Sequence, residues 1–357
     1  MVAYAIGLTG TAKHAMTRAP KRGLRGTVVT GADIGNNAAS DAVPWHAPTG
    51  CLVFLNISSG GAGSDLRFYQ PREQNMSYLM RAVRPLVCLP ALVLGVSVAA
   101  GAASPKLVDT HIHYSHDAWE RLPPPKAIEV LKRAGLERAF VSSSSDEGTQ
   151  KLYALAPELI VPVLRPYRAR GETSSWKNDE TVIQMLETLL AKGKYAGIGE
   201  FHAFGQDIEL PVLQAVVRLA KQYGIFLHAH SDKDAVERIF KHDPDAVVLW
   251  AHSGFDSPDE IRGMLEKHPN LWSDLAYRSD HHSGGTVDAE WLKLFEAFPE
   301  RFMLGTDTFA PELWFYVEDH AKENRAWLST VPPTLAKRIG SQNALELLGR
   351  TRFGKHD

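Results

Sequence analysis

Residues 108–113, Val-Asp-Thr-His-Ile-His, form an apolar-led strand pattern that ends in two histidines one residue apart. In a β-strand, side chains at positions i and i+2 point to the same face. His111 and His113 are therefore expected to project together, with Ile112 on the opposite face. Two converging imidazoles are what a divalent metal ion needs from its first two ligands. The alternative is a pair of solvated or core histidines, so the hypothesis depends on further ligands elsewhere in the chain.

From Lys106 onward, short apolar runs alternate with amphipathic runs of helical length. Eight strand–helix units in about 250 residues predict an α/β fold of the (β/α)8 TIM-barrel type. A doubly wound open sheet is the competing architecture, but no G-x-G-x-x-G or phosphate-binding loop opens a helix in this sequence. The expected strands are Leu107–His113, Arg138–Ser142, Leu159–Leu164, Tyr195–His202, Ile225–His230, Ala246–His252, Leu271–Ala276 and Phe302–Asp307.

The carboxyl ends of the predicted strands carry most of the candidate metal ligands. Residues at these ends face one shared site in a TIM barrel. Imidazole and carboxylate groups are ligands that zinc, manganese and iron accept. The candidates are His111 and His113 on strand 1, Glu200 and His202 on strand 4, His228 and His230 on strand 5, His252 on strand 6 and Asp307 on strand 8.

This arrangement resembles the amidohydrolase superfamily of metal-dependent hydrolases. Three further stretches are similar to its amidohydrolase-related branch (amidohydrolase 2): LWAHSG at 249–254, LGTD at 304–307 and IGSQNA at 339–344. The GIGE stretch at 197–200 is also similar to the TatD-type nucleases, which have a glutamate there. The resemblance covers about residues 107–349.

The resemblance implies a site for one or two divalent ions, with Zn²⁺ expected and Mn²⁺ or Fe²⁺ as alternatives. Asp307 and His252 are implied as catalytic residues, and Asp307 would carry a proton to the leaving group. The implied metal ligands are His111, His113 and Asp307 for a first ion, Glu200 as the bridging carboxylate, and His228 and His252 for a second ion.

Substrate contacts are expected from residues that follow the same strands. The resemblance implies His228 as the strand-5 ligand, because the family's strand-5 histidine directly follows the apolar run, as His228 follows residues 225–227; His230 is left for the substrate or for a supporting role. The other substrate-binding candidates are His202, Tyr277 and Arg278. Asp109 and Asp274 are expected to orient ligand histidines, with substrate binding as an equal alternative for Asp274. One of Arg165, Arg168 and Arg170 could bind a substrate anion, and at least two are expected to be solvated.

The predicted activity is hydrolysis of an amide, ester, lactone or related bond of a small molecule by a metal-activated water. A nonoxidative decarboxylase on the same fold is one alternative, which would need one metal ion and an arginine for the substrate carboxylate. A non-catalytic binding protein is the second alternative. Residues 1–102 hold nine of the 39 Lys and Arg and four of the 41 Asp and Glu, which leaves 30 basic and 37 acidic residues in the remainder. This acidic remainder argues against nucleic acid as a partner, and nothing in the sequence predicts the oligomeric state.

The first hundred residues predict an exported protein. Residues 1–75 lack a sustained helical or strand pattern and are expected to be a disordered leader or the product of a mis-assigned start. Residues 76–102 combine a basic segment, an apolar run and an Ala-Gly-Ala site, the order that is typical of a secretory signal peptide. The barrel, residues 103–357, contains no cysteine, since Cys51 and Cys88 precede it. We therefore expect a bacterial periplasmic enzyme with no stable membrane span after signal cleavage.

Overall fold

The computed structural model describes residues 106–355 of the chain. The leader and the signal peptide predicted for 1–75 and 76–102 lie outside these residues and stay predictions. Eight parallel strands follow one another around a single sheet in the order of the chain, which confirms the predicted TIM barrel. The strands are β1 (Leu107–Ile112), β2 (Leu136–Val141), β3 (Ile160–Leu164), β4 (Gly197–His202), β5 (Phe226–His230), β6 (Val248–Trp250), β7 (Leu271–Asp274) and β8 (Phe302–Met303).

Helices surround the sheet and return the chain from the carboxyl end of each strand to the amino end of the next. Their bounds are α1 (His116–Arg121), α2 (Pro124–Arg133), α3 (Asp146–Leu155), α4 (Thr181–Lys192), α5 (Pro211–Tyr223), α6 (Lys233–His242), α7 (Pro258–Lys267), α8 (Ala289–Ala297), α9 (Val317–Leu328), α10 (Pro333–Lys337) and α11 (Asn343–Gly349). Prolines at 123–125 separate α1 from α2, since proline suits a helix start and not a helix interior. A short antiparallel ribbon pairs His282–Ser283 with Thr286–Val287 before α8.

The barrel closes between β1 and the segment that follows β8. Thr110 N–H donates to Leu304 O at 2.9 Å, and Asp307 N–H donates to His111 O at 2.7 Å. The buried Asp109 carboxylate accepts from Thr306 N–H at 3.2 Å and from Thr306 Oγ1 at 2.8 Å. Strand 8 is shorter than expected because only its first two residues share the regular ladder of β7. Asp109 therefore links β1 to the segment that follows β8. Burial raises the pKa of this carboxyl group to about 6.

The barrel interior changes from apolar to polar along its axis. Phe226 of β5 and Trp272 of β7 lie in one buried cluster with Met303 and with residues of α11. Two residues further along the same strands, His228 and Asp274 follow on the same face. The polar groups therefore collect above an apolar floor, at the carboxyl ends of the strands.

Candidate metal centre

Three buried ligand atoms at the carboxyl end of the barrel face one another, and none has a hydrogen-bond partner within residues 106–355. They are Nε2 of His111, Nε2 of His113 and Oδ1 of Asp307. Asp307 Oδ1 lies 3.2 Å from His113 Nε2 and 3.7 Å from His111 Nε2. Buried polar atoms are normally satisfied, and an unsatisfied atom costs free energy. A divalent cation would satisfy all three at once, so these residues fit a metal ion.

Three of the candidate imidazoles, those of His111, His113 and His252, are oriented through their Nδ1 atoms. An imidazole that donates from Nδ1 has its Nε2 lone pair available, and ligand histidines are usually held in this way by a carboxylate or a carbonyl. The result is a set of Nε2 atoms directed to one space. The Nδ1 partners are Asp274 Oδ2 for His111 at 3.2 Å, Ser142 O for His113 at 2.7 Å and Ala276 O for His252 at 2.9 Å.

Glu200 occupies the middle of the cluster. Its Oε2 lies 3.3 Å from His113 Nε2, and its Oε1 lies 3.5 Å from His111 Nε2 and 3.6 Å from His252 Nε2. The preceding Gly199 has a φ of 138°, and the register of β4 on β5 shifts just after it. A Cβ atom at Gly199 would lie 2.2 Å from a backbone oxygen, so only glycine allows this close approach.

The two histidines of β5 differ from the sequence expectation in their contacts. His228 Nε2 donates to Asp274 Oδ2 at 3.0 Å, one layer below the mouth of the barrel. His230 Nδ1 donates to Glu200 Oε1 at 2.8 Å, and its ring lies 4.7 Å from that of His252. The expectation gave the metal to His228 and the substrate to His230. In the structure His230 adjoins the central carboxylate, whereas His228 faces Asp274, with which it and His111 form a further group of possible ligand atoms.

Electrostatics at the site favour a cation. Burial opposes the charged form of His111, but the carboxylates of Asp307, Asp274 and Glu200 together raise its pKa well above the usual value. Burial lowers the pKa of His228 to about 4, so this imidazole is neutral. Three carboxylates around one buried imidazole concentrate negative charge, which a divalent ion would neutralise.

The remaining sequence candidates have separate surroundings. The Tyr167 hydroxyl donates to His202 Nδ1 at 2.9 Å, and the His202 ring stacks on that of His230 at 4.2 Å. Tyr277 is 47% exposed, and its ring lies 6.4 Å from that of His252. Arg278 is buried and donates to Asp280 Oδ1 and Oδ2, both at 2.7 Å. These contacts leave His202 and Tyr277 at the site, whereas Arg278 supports the loops after β6 and β7.

Two supporting residues were only partly identified from the sequence. Asp274 forms hydrogen bonds with both His111 and His228. This is the first of the two roles expected for it, the orientation of histidines, with substrate binding as the other. Arg165 donates to Glu200 Oε2 at 2.6 Å, whereas sequence reasoning left Arg165, Arg168 and Arg170 undistinguished. The signal that was available is distance along the chain, since Arg165 directly follows β3 and the other two lie further into the loop.

A comparison with protein families identifies the chain. The family model described as Amidohydrolase matches residues 108–350, which is more than half of the chain. The chain belongs to the amidohydrolase family. It is a metal-dependent enzyme of the amidohydrolase type. The enzymes of this family act on small-molecule substrates. A search of curated proteins gave no significant match.

Solved structures with a similar course of the chain include several barrels. An uncharacterized TIM-barrel protein from Bordetella bronchiseptica is 16% identical, with 69% of this chain and 99% of that chain covered and a TM-score of 0.48. A TatD-family hydrolase from Entamoeba histolytica is 12% identical, with 68% and 99% covered and a TM-score of 0.45. Molinate hydrolase is 14% identical, with 69% and 73% covered and a TM-score of 0.46. Within residues 106–355 of the amidohydrolase, no helix has the length and apolar character needed to cross a membrane.

Proposed function

We propose that this protein is an exported hydrolase that uses one or two divalent ions, Zn²⁺ in the first instance, to cleave an amide, ester, lactone or related bond of a small molecule. The observation that carries the proposal is the convergence of three buried ligand atoms without partners, on His111, His113 and Asp307. A further group of ligand atoms, from His111, Glu200 and His252, also lies within 4.8 Å. The two groups overlap at His111, and Glu200 lies within 3.6 Å of Nε2 of His111, His113 and His252, which supports a site for two ions with Glu200 between them.

The proposed ligands are His111, His113 and Asp307 for one ion, and His230 and His252 for the other, with Glu200 between them. This replaces His228 by His230, for the reason that the contacts of β5 provide. When a divalent ion is bound, it lowers the pKa of a water molecule from about 15.7 to about 7 and polarises a carbonyl oxygen. The lowered pKa makes a strong side-chain base unnecessary at neutral pH.

Asp307 is the proposed proton carrier. Its Oδ1 faces His113 Nε2, while its Oδ2 lies 3.8 Å from His252 Nε2. The Asp307 side chain is 10% exposed, so it borders on the space at the mouth of the barrel. It would accept the proton of the attacking water and release it to the leaving group, which is the usual role of a general acid–base residue. His252 would act from the opposite side through the metal ion that it helps to bind.

The decarboxylase alternative has less support. It needs an arginine that can bind a substrate carboxylate, and Arg165 is the arginine of the β3 loop that reaches the site. Its Nε donates to Glu200 O at 3.1 Å and its terminal nitrogen donates to Glu200 Oε2 at 2.6 Å. Because both of these guanidinium nitrogens bind Glu200, Arg165 is not positioned to bind a substrate carboxylate. Hydrolysis is therefore the better-supported activity.

Elemental analysis of the purified full-length chain tests the proposal. We expect one or two equivalents of divalent metal, a marked loss in a His111→Ala variant, and hydrolysis without CO₂ release on a panel of neutral amides, esters and lactones. A preparation that binds no metal after incubation with Zn²⁺, Mn²⁺ or Fe²⁺ would contradict the hydrolase and favour the binding-protein alternative.

Export to the bacterial periplasm is a separate proposal, supported by the residue order of 76–102 alone. Expression of the full chain in a bacterial host, followed by sequencing of the amino terminus, tests it. We expect cleavage just before Ala103. An intact amino terminus in the cytoplasmic fraction would contradict it.

A further inference from the structure

Large apolar side chains that remain exposed are concentrated at the carboxyl end of the barrel. Among residues 106–355, seven such side chains are strongly exposed, and six of them follow β4, β6, β7 or β8. The seventh, Leu155, is the last residue of α3 and therefore lies at the opposite end, where helices return to the amino ends of the strands. The six are Phe204, Phe255, Tyr277, Phe309, Phe315 and Tyr316.

Four of these rings surround the candidate metal centre, and we call Phe204, Phe255, Tyr277 and Phe309 the aromatic collar. The Phe255 ring stacks on His252 at 4.7 Å and lies 6.1 Å from His230. Phe204 lies 6.0 Å from His230 on its other side. Phe309 contacts Tyr277 at 5.6 Å, and Tyr277 in turn lies 6.4 Å from His252. The collar is therefore continuous with the imidazoles of the site.

The backbone of the collar is held in an uncommon conformation. Phe255 has a φ of 56° and Tyr277 a φ of 55°, in the left-handed region that large side chains rarely adopt. Such conformations are costly and persist where the surrounding structure requires them, often at binding sites. Each of these rings remains about half exposed, so burial of the ring itself does not explain the conformation.

The cations near the collar are engaged by protein groups. Arg165 pairs with Glu200, and Arg278 pairs with Asp280. Arg168, further along the β3 loop, pairs with Glu172 and Asp179. Each of these three arginines is thus paired with a carboxylate of the protein. An anionic substrate group at the collar would therefore meet aromatic rings and none of these three arginines in an unpaired state.

We infer that the substrate of this centre carries a flat aromatic group beside the bond that is cleaved, and that this part of the substrate bears no negative charge. The inference rests on the proposed function, since it specifies the substrate class of the same metal site. Aromatic rings favour offset-stacked or edge-on contact with other rings, and the collar offers four at different angles. The ring would lie between Phe255 and Phe309 while the reacting bond faces Asp307.

Binding of small hydroxamates, measured by calorimetry on the metal-loaded full-length chain, separates the ring from the metal. Acetohydroxamate reports the metal centre alone, because the hydroxamate group chelates divalent ions. Phenylacetohydroxamate adds one aromatic ring, and the monohydroxamate of succinate adds a carboxylate. We expect phenylacetohydroxamate to bind about 10- to 100-fold more tightly than acetohydroxamate, as expected for burial of one ring, and the succinate compound to bind no more tightly.

Variants of the collar test the origin of that preference. Phe309→Ala removes a ring that contacts Tyr277. Within residues 106–355, that ring has no ring contact with a candidate metal ligand. Phe255→Ala removes the ring that stacks on His252. We expect both variants to reduce the ratio of the two affinities by about threefold or more. Leu155→Ala, with a side chain of similar exposure at the other end of the barrel, is the matched control and should keep the ratio.

The outcomes distinguish the collar from the metal centre. If none of the hydroxamates binds to the loaded protein, the proposed function fails and the inference fails with it. If acetohydroxamate binds but phenylacetohydroxamate binds no more tightly, the metal centre stands and the aromatic substrate is wrong. A preference for the succinate compound, or an affinity ratio that Phe255→Ala and Phe309→Ala leave unchanged, would equally overturn the inference.

Discussion

Arg165 and Glu200 form a buried ion pair at the centre of the site. The guanidinium donates to Glu200 Oε2 at 2.6 Å and to Glu200 O at 3.1 Å, and both side chains are less than 10% exposed. One arginine therefore holds both the carboxylate and the backbone of the residue that faces His111, His113, His230 and His252. A buried pair of this kind stabilises a fold only while both partners are present.

Arg165→Met is expected to lower both stability and activity. It leaves a buried carboxylate without its guanidinium, so the free energy of unfolding should fall by about 3–5 kcal/mol. Activity at saturating metal should fall about 10- to 100-fold, because groups that orient ligands have effects of this size. Urea unfolding and steady-state kinetics measure the two effects.

Two variants control for this result. Arg165→Lys keeps a positive charge and should restore part of the stability and less of the activity, since lysine cannot bond both oxygens in the geometry of a guanidinium. Arg168→Met breaks pairs at an exposed position and should cost no more than about 1 kcal/mol. An Arg165→Met protein with the activity of the unmodified enzyme would show that Glu200 does not need this anchor.

The two histidines of β5 are expected to differ in metal content. His230→Ala should lose about one equivalent of metal, because His230 adjoins Glu200 and His252. His228→Ala should keep its metal and lose stability by about 1–3 kcal/mol, since Asp274 loses a buried hydrogen bond. Elemental analysis and urea unfolding of the pair provide the comparison. Loss of metal from His228→Ala alone would restore the assignment that the sequence favoured.

Substitution of Gly199 is expected to damage the protein more than substitution of a glycine that has open space around it. Gly199→Ala places a Cβ against His228 O at a φ of 138°, so it should cost more than about 1 kcal/mol and lower activity by displacing Glu200. Gly263→Ala is the matched control in the exposed part of α7. No heavy atom lies within 4 Å of its added Cβ, so it should be neutral or stabilise by about 0.5–1 kcal/mol. Equal thermal stability of the two variants would contradict the close approach at Gly199.

His281 is expected to make stability fall as the pH is lowered. It is buried near Trp291 and Trp327, and in the part of the chain that the structure describes its ring nitrogens have no hydrogen-bond partner. Burial, with a smaller effect of His282, lowers its pKa to about 4. Between about 6.5, the ordinary value, and 4, the unfolded chain binds a proton that the folded chain does not. Stability is therefore lost as the pH falls through this window, and no further below it.

His281→Leu isolates this effect. Relative to the unmodified protein, the variant should gain about 2 kcal/mol in unfolding free energy between pH 7.5 and pH 5. Urea unfolding of both proteins in a chelator removes any contribution from metal release. Parallel pH dependences of the two proteins would mean that His281 is solvated or bonded in solution.

Sequence reasoning reached the fold and the place of the site because both depend on local patterns. The alternation of strand-length and helix-length runs predicts a barrel without knowledge of any long-range contact. Polar residues at the ends of those runs, such as His113 and Glu200, must then share the carboxyl end of the barrel. The His-x-His pair of β1 indicated where the candidate ligands gather, and its role in binding a metal ion stays a prediction.

Depth within the barrel and the partners of side chains were decided only by the tertiary structure. His228 and His230 share a face of β5, so sequence spacing cannot separate them. The tertiary structure places His228 against Asp274 of β7 and His230 against Glu200 of β4. The same holds for Arg165, whose partner lies on another strand. The aromatic collar joins loops that are distant in the chain and come together because the parallel strands β4 to β8 all end on the same side of one sheet.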